Sequence, residues 1–252
     1  MRRTACLALA VTLSLSTLTA CGGEDSSGKK VTLRVFAAAS LTESFTALGK
    51  KFHEEHPGTK VVFEFGPSSG LAEQIGQGAP ADVFASASPT NMDTVVQKGN
   101  ASDPQDFVTN SAEIAVPPSN PASITQLSDL ARPGVKVVVC QPQVPCGKVA
   151  TEVFANSNIE VKPATEEVDV KSVLTKVTLD EVDAGLVYVT DVQAAGDKVK
   201  GIEIPEAQNS VTSYPIATLK DSKHAKEAGE FVDLVLSDDG SQVLTEAGFA
   251  QP

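Results

Sequence analysis

Four times in this chain a short β-rich run stops at small or turn-forming residues and gives way to a helical pattern. This recurrence restricts the fold more than any other feature. In the first unit, Val31-Thr-Leu-Arg-Val35 alternates apolar and polar residues and is rich in β-branched side chains, so it reads as a strand. Ala37-Ala38-Ala39 follows, with no bulk to hold a ligand off, and then Ser40-Leu41-Thr42-Glu43, a Ser-x-x-Glu pattern that predicts a capping box and a helix start. A helix start is a ready anion site, because its first N–H groups lack partners and the helix dipole favours negative charge. Taken alone, Ser40 is more simply a cap, since caps far outnumber ligand sites. The same strand-to-helix turn recurs after Phe65 (Gly66-Pro67-Ser68-Ser69-Gly70), after Val139 (the loop Cys140 to Gly147) and after Val187.

The elements between these turns fit one class. Leu41, Phe45, Leu48 and Phe52 have amphipathic helical spacing over 41–53, and Pro57-Gly58 ends the helix. Strands are predicted over 60–65, 81–86, 111–116, 135–139, from Val161, over 184–188 and over 201–205, with a long extended piece over 212–219. Helices are predicted over 71–77, 89–99, 124–130, 148–156 and 170–177, with a turn or helix start over 191–196, then over 223–236 and 240–247. No internal repeat is present. Strands alternating with helices mean an α/β fold with mostly parallel sheets. Two such sets, followed by a return near Tyr214, predict two lobes with the chain crossing twice: lobe I from 31–108 plus 214–252, lobe II from 109–213. Ligands of such sheets sit beyond the carboxyl ends of the strands, where the four turns lie.

The N-terminus sets the compartment. Arg2-Arg3 precedes an apolar run from Ala5 to Thr19, of signal-peptide length and too short to span a membrane. It ends in Leu18-Thr-Ala-Cys21, which resembles a bacterial lipobox and predicts cleavage before a lipidated Cys21, with residues 21–30 as a flexible tether. The expected location is extracytoplasmic, anchored to the membrane. Without Arg2 and Arg3 the basic residues fall from 20 to 18 against 32 acidic ones, so the mature chain carries −14. Such a surface argues against nucleic acid, and leaves any anion to be caught by local dipoles. Cys140 and Cys146 remain after the leader is removed. In an oxidising compartment a disulfide is the expectation, and a zinc site lacks ligands, since His53, His56 and His224 have no ligand spacing to the pair.

The ordered turns carry a resemblance. Phe36-Ala-Ala-Ala-Ser40-Leu-Thr, Ser68-Ser69-Gly-Leu-Ala-Glu-Gln-Ile75, Gly78-Ala-Pro-Ala-Asp-Val-Phe-Ala-Ser-Ala87, Val144-Pro-Cys-Gly147, Asp169-Val170, Gly185-Leu-Val-Tyr188 and Tyr214-Pro-Ile-Ala217 together resemble the molybdate-binding, ModA-type proteins of ABC transporters, from about Val31 to Gln251. The resemblance implies a two-lobed periplasmic binding protein fold of type II, each lobe a mostly parallel sheet flanked by helices. It implies a monomer that captures molybdate, and tungstate with it, for a membrane permease, with no cofactor and no enzymatic activity. It also implies a ligand set: the hydroxyls of Ser40, Ser68 and Tyr188 and the backbone N–H groups of Cys146 and Val170. The chain is one residue longer than the family between the two serines, so Ser69 is the alternative to Ser68. The cysteine pair departs from the commonest family pattern.

The residues agree with that chemistry on their own terms. A fully ionised oxo-dianion only accepts hydrogen bonds, so it requires donors, and neither 37–40 nor 66–70 contains an acidic residue. Sulfate, phosphate or a small organic acid is the rival ligand. A serine hydrolase is the rival class, but no Gly-x-Ser-x-Gly elbow is present and no histidine is placed to activate a serine.

Overall fold

The computed structural model describes residues 30–252. The expected leader, the lipobox at Cys21 and the tether up to residue 29 lie outside the described residues. Among the described residues there are nine strands: β1 Val31–Ala38, β2 Thr59–Gly66, β3 Val83–Ala85, β4 Gln105–Val116, β5 Val137–Cys140, β6 Thr165–Glu167, β7 Ala184–Tyr188, β8 Lys200–Glu203 and β9 Val211–Thr218. The α-helices are α1 Thr42–Glu55, α2 Ser68–Gly76, α3 Pro89–Gln97, α4 Pro145–Asn156, α5 Val170–Thr178, α6 Val189–Ala195, α7 Ala225–Leu236 and α8 Asp238–Glu246.

The strands run β2-β1-β3-β9-β4-β7-β5-β6, with β8 also paired to β4. Lobe I is built on parallel β2, β1 and β3, and lobe II on parallel β6, β5 and β7. Two antiparallel strands join them. Gln105 to Ser111 of β4 pairs with β9, whereas Ala112 to Val116 pairs with β7 and β8. One strand therefore serves both lobes, and β9 returns the chain to β3.

The cores follow from the burial pattern. In β1, burial alternates from Val31 to Arg34, with Leu33 buried, and Val35 to Ala38 is buried throughout. Val35 and Ala37 pack with Phe45, Leu48 and Phe231 on one face, and Phe36 packs with Leu71 and Ile75 on the other. Helices thus cover both faces, as a continuous apolar run requires. Phe45 meets Phe63, Phe107 and Phe231 at ring-centroid distances of 5.9–6.2 Å. Lobe II has its own core between Ala112 and Ile204. No helix among the described residues is long and apolar enough to cross a membrane.

Several local expectations give way. Ser40 does not cap a helix: it sits in a 3-10 turn, Ala39–Leu41, and α1 starts at Thr42 with no side-chain cap. Its hydroxyl is engaged by a residue far along the chain, and that long-range bond outcompetes the local one. Residues 124–130 form only a 3-10 turn at Leu127–Ala131, because the Asp129 carboxylate turns back to the N–H groups of Thr125 and Gln126. No strand begins at Val161. The partner of β5 is Thr165–Glu167, fixed by the register Val138 with Thr165. α4 begins at Pro145 rather than Lys148, since proline fits the first helical position, where no N–H is needed. β4 is longer than predicted, because its first half is held by β9 rather than by local sequence.

Candidate ligand site between the lobes

The carboxyl ends of the strands in both lobes face a small cavity of about 20 Å³. Lobe I contributes the turn after β1, with Ser40, and the start of α2, with Ser68. Lobe II contributes the start of α4, with Cys146, the start of α5, with Val170, and the end of β7, with Tyr188. The five residues predicted as ligands are therefore brought together from five separate elements. Ser69 is not among the lining residues, and Ser68 is.

Each hydroxyl is placed so that its hydrogen can face the cavity. Ser68 is 1% exposed, and its Oγ accepts the N–H of Ala87 at 2.9 Å. A backbone N–H can only donate, so one Ser68 lone pair is occupied and the hydroxyl hydrogen remains free. Ser40 Oγ lies 2.9 Å from the Tyr214 hydroxyl. The Tyr188 hydroxyl is buried and makes no well-formed hydrogen bond within the protein, although the Tyr214 hydroxyl lies near it. A buried, unpaired hydroxyl costs roughly 1–3 kcal/mol, so such an atom calls for an explanation. A ligand acceptor would supply its missing bond. Burial pushes the Tyr188 hydroxyl well above the usual tyrosine range, so it stays protonated and able to donate.

The backbone adds donors. Pro145 has no N–H, so Cys146 supplies the first N–H of α4, and Val170 supplies the first of α5. Such groups lack intrahelical partners, and each helix start carries about half a positive charge. The Cys140–Cys146 disulfide is formed, with Cα atoms 5.6 Å apart, and ties the start of α4 to the end of β5. Gly147 permits the tight return between them: a Cβ there would lie 1.9 Å from the Gln141 carbonyl oxygen. No lysine, arginine or histidine lines the cavity. Asp169 does, which the sequence did not flag, but its Oδ1 caps α5 by accepting the Ser172 N–H at 2.8 Å.

Sequence reasoning missed the residues behind this first layer. The Ala87 N–H and the Tyr214 hydroxyl hold the two serines, and Tyr188 is held through its N–H, which donates to Asp191 Oδ2 at 3.1 Å. Tyr214 lay within a recognised motif, Tyr-Pro-Ile-Ala, but nothing in the sequence paired it with Ser40.

A two-lobed body with a dipole-lined cleft at the crossing of its strands has the construction of a solute-binding protein. The family model of the bacterial extracellular solute-binding proteins matches residues 33–250. A relative from Mycobacterium tuberculosis named molybdate-binding protein ModA is 44% identical over 219 residues, covering 86% of this chain and 84% of its own. The chain belongs to the bacterial extracellular solute-binding proteins, within the ModA-type family of ABC-transporter binding proteins. Its relatives are solute-binding proteins, not enzymes. The periplasmic molybdate-binding protein of Azotobacter vinelandii superposes with a TM-score of 0.78 at 19% identity, over 87% of this chain and 99% of the other. The sulfate-binding protein SubI of Mycobacterium tuberculosis also reaches 0.78, at 18% identity, over 88% and 87%. At these identities the two likenesses show the fold and do not separate the ligands.

Proposed function

We propose that this protein captures molybdate, and tungstate with it, in the interlobe cleft and delivers the ion to an ABC-transporter permease. Ser40, Ser68 and Tyr188 bind through their hydroxyls, and Cys146 and Val170 through their backbone N–H groups. Lipidated Cys21 tethers the protein, as a monomer, outside the cytoplasmic membrane, a reading that rests on the lipobox pattern. The observation that carries the ligand assignment is the convergence of these neutral donors on a cavity of about 20 Å³ with no basic side chain around it. An ion surrounded by donors must be fully deprotonated, because a protonated oxyanion needs an acceptor for its own hydrogen. Each bond to a charged ligand contributes roughly 1.5–3 kcal/mol, so five of them outweigh the cost of association. The 44% identical relative named for molybdate supports the choice among tetrahedral anions.

Calorimetric titration of the mature protein with molybdate, tungstate and sulfate tests the reading. Tight binding of the first two and weak or absent binding of sulfate is expected. A silent molybdate titration, or sulfate bound as tightly, sinks it.

A further inference from the structure

Ser40 has one hydroxyl hydrogen and two lone pairs, and that hydrogen is kept for a ligand if Tyr214 donates to the serine rather than accepting from it. Asn110 lies on β4, Tyr214 on β9 and Thr190 on α6. Asn110 is 3% exposed and Tyr214 0%, so no water competes for these groups. The Asn110 Oδ1 accepts the Ser111 N–H at 3.1 Å, and since a backbone N–H cannot accept, the amide orientation is determined. Its Nδ2 therefore faces the other way. It donates to Thr190 Oγ1 at 2.8 Å and, with its second hydrogen, to the Tyr214 hydroxyl at 3.5 Å. Either hydroxyl of the Ser40–Tyr214 pair, 2.9 Å apart, could be the donor, and an Asn110 hydrogen on the Tyr214 oxygen favours Tyr214 in that role. The Ser40 hydrogen is then left for the cavity.

We infer that Asn110 and Tyr214 are positioning residues that fix Ser40 as a hydrogen-bond donor and so make the cleft select fully deprotonated oxyanions. The inference rests on the oxyanion reading of the cleft. The Tyr214 ring is held for this task by edge contacts with Phe249, Phe107 and Tyr188, at centroid distances of 5.4, 6.4 and 6.3 Å. Burial raises the Tyr214 hydroxyl above its ordinary range, which keeps its proton in place. Ser68 achieves the same polarity with a backbone donor, Ala87 N–H, which cannot reverse. Ser40 uses a hydroxyl, which could reverse, and Asn110 is what prevents it. A hydrogen phosphate ion offering its proton to Ser40 would forfeit the donated bond that a fully deprotonated ion receives from it, or would have to turn Tyr214 against the Asn110 amide.

A double-mutant cycle tests this. Molybdate and hydrogen phosphate are titrated calorimetrically into wild type, Ser40→Ala, Tyr214→Phe and the double variant. We expect Tyr214→Phe to weaken molybdate binding about tenfold, the size of one bond to a charged ligand. In the Ser40→Ala background it should weaken binding no further, because Tyr214 acts through Ser40. The ratio of molybdate to phosphate affinity should fall in Tyr214→Phe. Asn110→Ala, with Tyr214 intact, should reproduce a smaller loss that also vanishes in Ser40→Ala, which keeps the test alive if Tyr214→Phe folds poorly. Unchanged affinity in Tyr214→Phe, or losses that add in the double variant, overturns the inference while leaving the oxyanion reading standing. A wild type silent to molybdate overturns that reading, and the inference with it.

Discussion

Lys171 of lobe II reaches Glu43 of lobe I: its Nζ lies 2.8 Å from Glu43 Oε2 and, on its other side, 3.0 Å from Oδ1 of the fully buried Asp191. Asp191 in turn accepts the N–H of Tyr188. A single cation therefore joins the two lobes and steadies a ligand residue. Replacing it by methionine leaves Asp191 buried without its partner, which typically costs on the order of 3 kcal/mol. Lys171→Met should lower the unfolding midpoint in urea and weaken molybdate binding, mainly through faster release. Unchanged stability and release rate refute the assignment.

The same lysine sets a pH dependence. Burial pulls its ammonium down, but Asp191 and Glu43 together outweigh that and hold it above its ordinary 10.5. A raised folded-state value means stability that is complete below 10.5 and is lost as pH rises through the folded value. The stability gap between wild type and Lys171→Met should therefore shrink as pH rises above about 10, relative to its value where Asp191 and Lys171 are both charged. Thermal unfolding scanned across alkaline pH reads this directly, and a gap that grows instead would falsify it.

Tyr188 is predicted to carry a conflict between stability and binding. Its hydroxyl makes no well-formed hydrogen bond within the protein. Tyr188→Phe removes an unsatisfied buried group and keeps the ring, so the ligand-free protein should gain about 1 kcal/mol. Molybdate affinity should fall about tenfold or more, because a donor is lost. Melting curves with and without molybdate check both halves. A variant that is destabilised when ligand-free would show that the hydroxyl has a structural partner after all.

The adjacent serines should separate cleanly. Ser68 lines the cavity and is fixed by Ala87, and Ser69 does not line it. Ser68→Ala should weaken binding about ten- to a hundredfold, and Ser69→Ala less than threefold. The reverse order would move the site by one residue.

The Cys140–Cys146 bridge pins the first N–H of α4. Replacing both cysteines by serine should cost about 2 kcal/mol of stability, the chain-entropy expectation for so short a loop. It should also weaken molybdate binding several-fold, since the Cys146 N–H loses its restraint. Equal affinity in the bridged and unbridged proteins would show that Gly147 and Pro145 suffice to shape the turn.

Much of the architecture was legible because it is local. Ala184 to Tyr188 reads as a buried strand from composition alone and is one, and Val170 begins its helix where the pattern places it. The resemblance carried by the ordered turns pointed to five residues on separate elements, and all five line one cavity. What was misread is where a distant partner overrules a local preference. The Ser-x-x-Glu pattern at Ser40 is a good cap by sequence, but Tyr214, 174 positions away, takes the hydroxyl. The first half of β4 has weak strand signals and exists because β9 pairs with it.

The sequence by itself determined the class of fold and the residues at the mouth of each strand, because hydrophobic periodicity and turn chemistry are properties of neighbours along the chain, and its ordered motifs carried the resemblance to the family. Only the tertiary structure decided which partners each serine hydroxyl meets, that Ser68 rather than Ser69 lines the cavity, and that Lys171 spans the lobes. Hydrogen-bond direction depends on the partner that fills the other lone pair, and in this protein those partners, Ala87, Tyr214 and Asn110, arrive through strand pairing and packing across long stretches of chain.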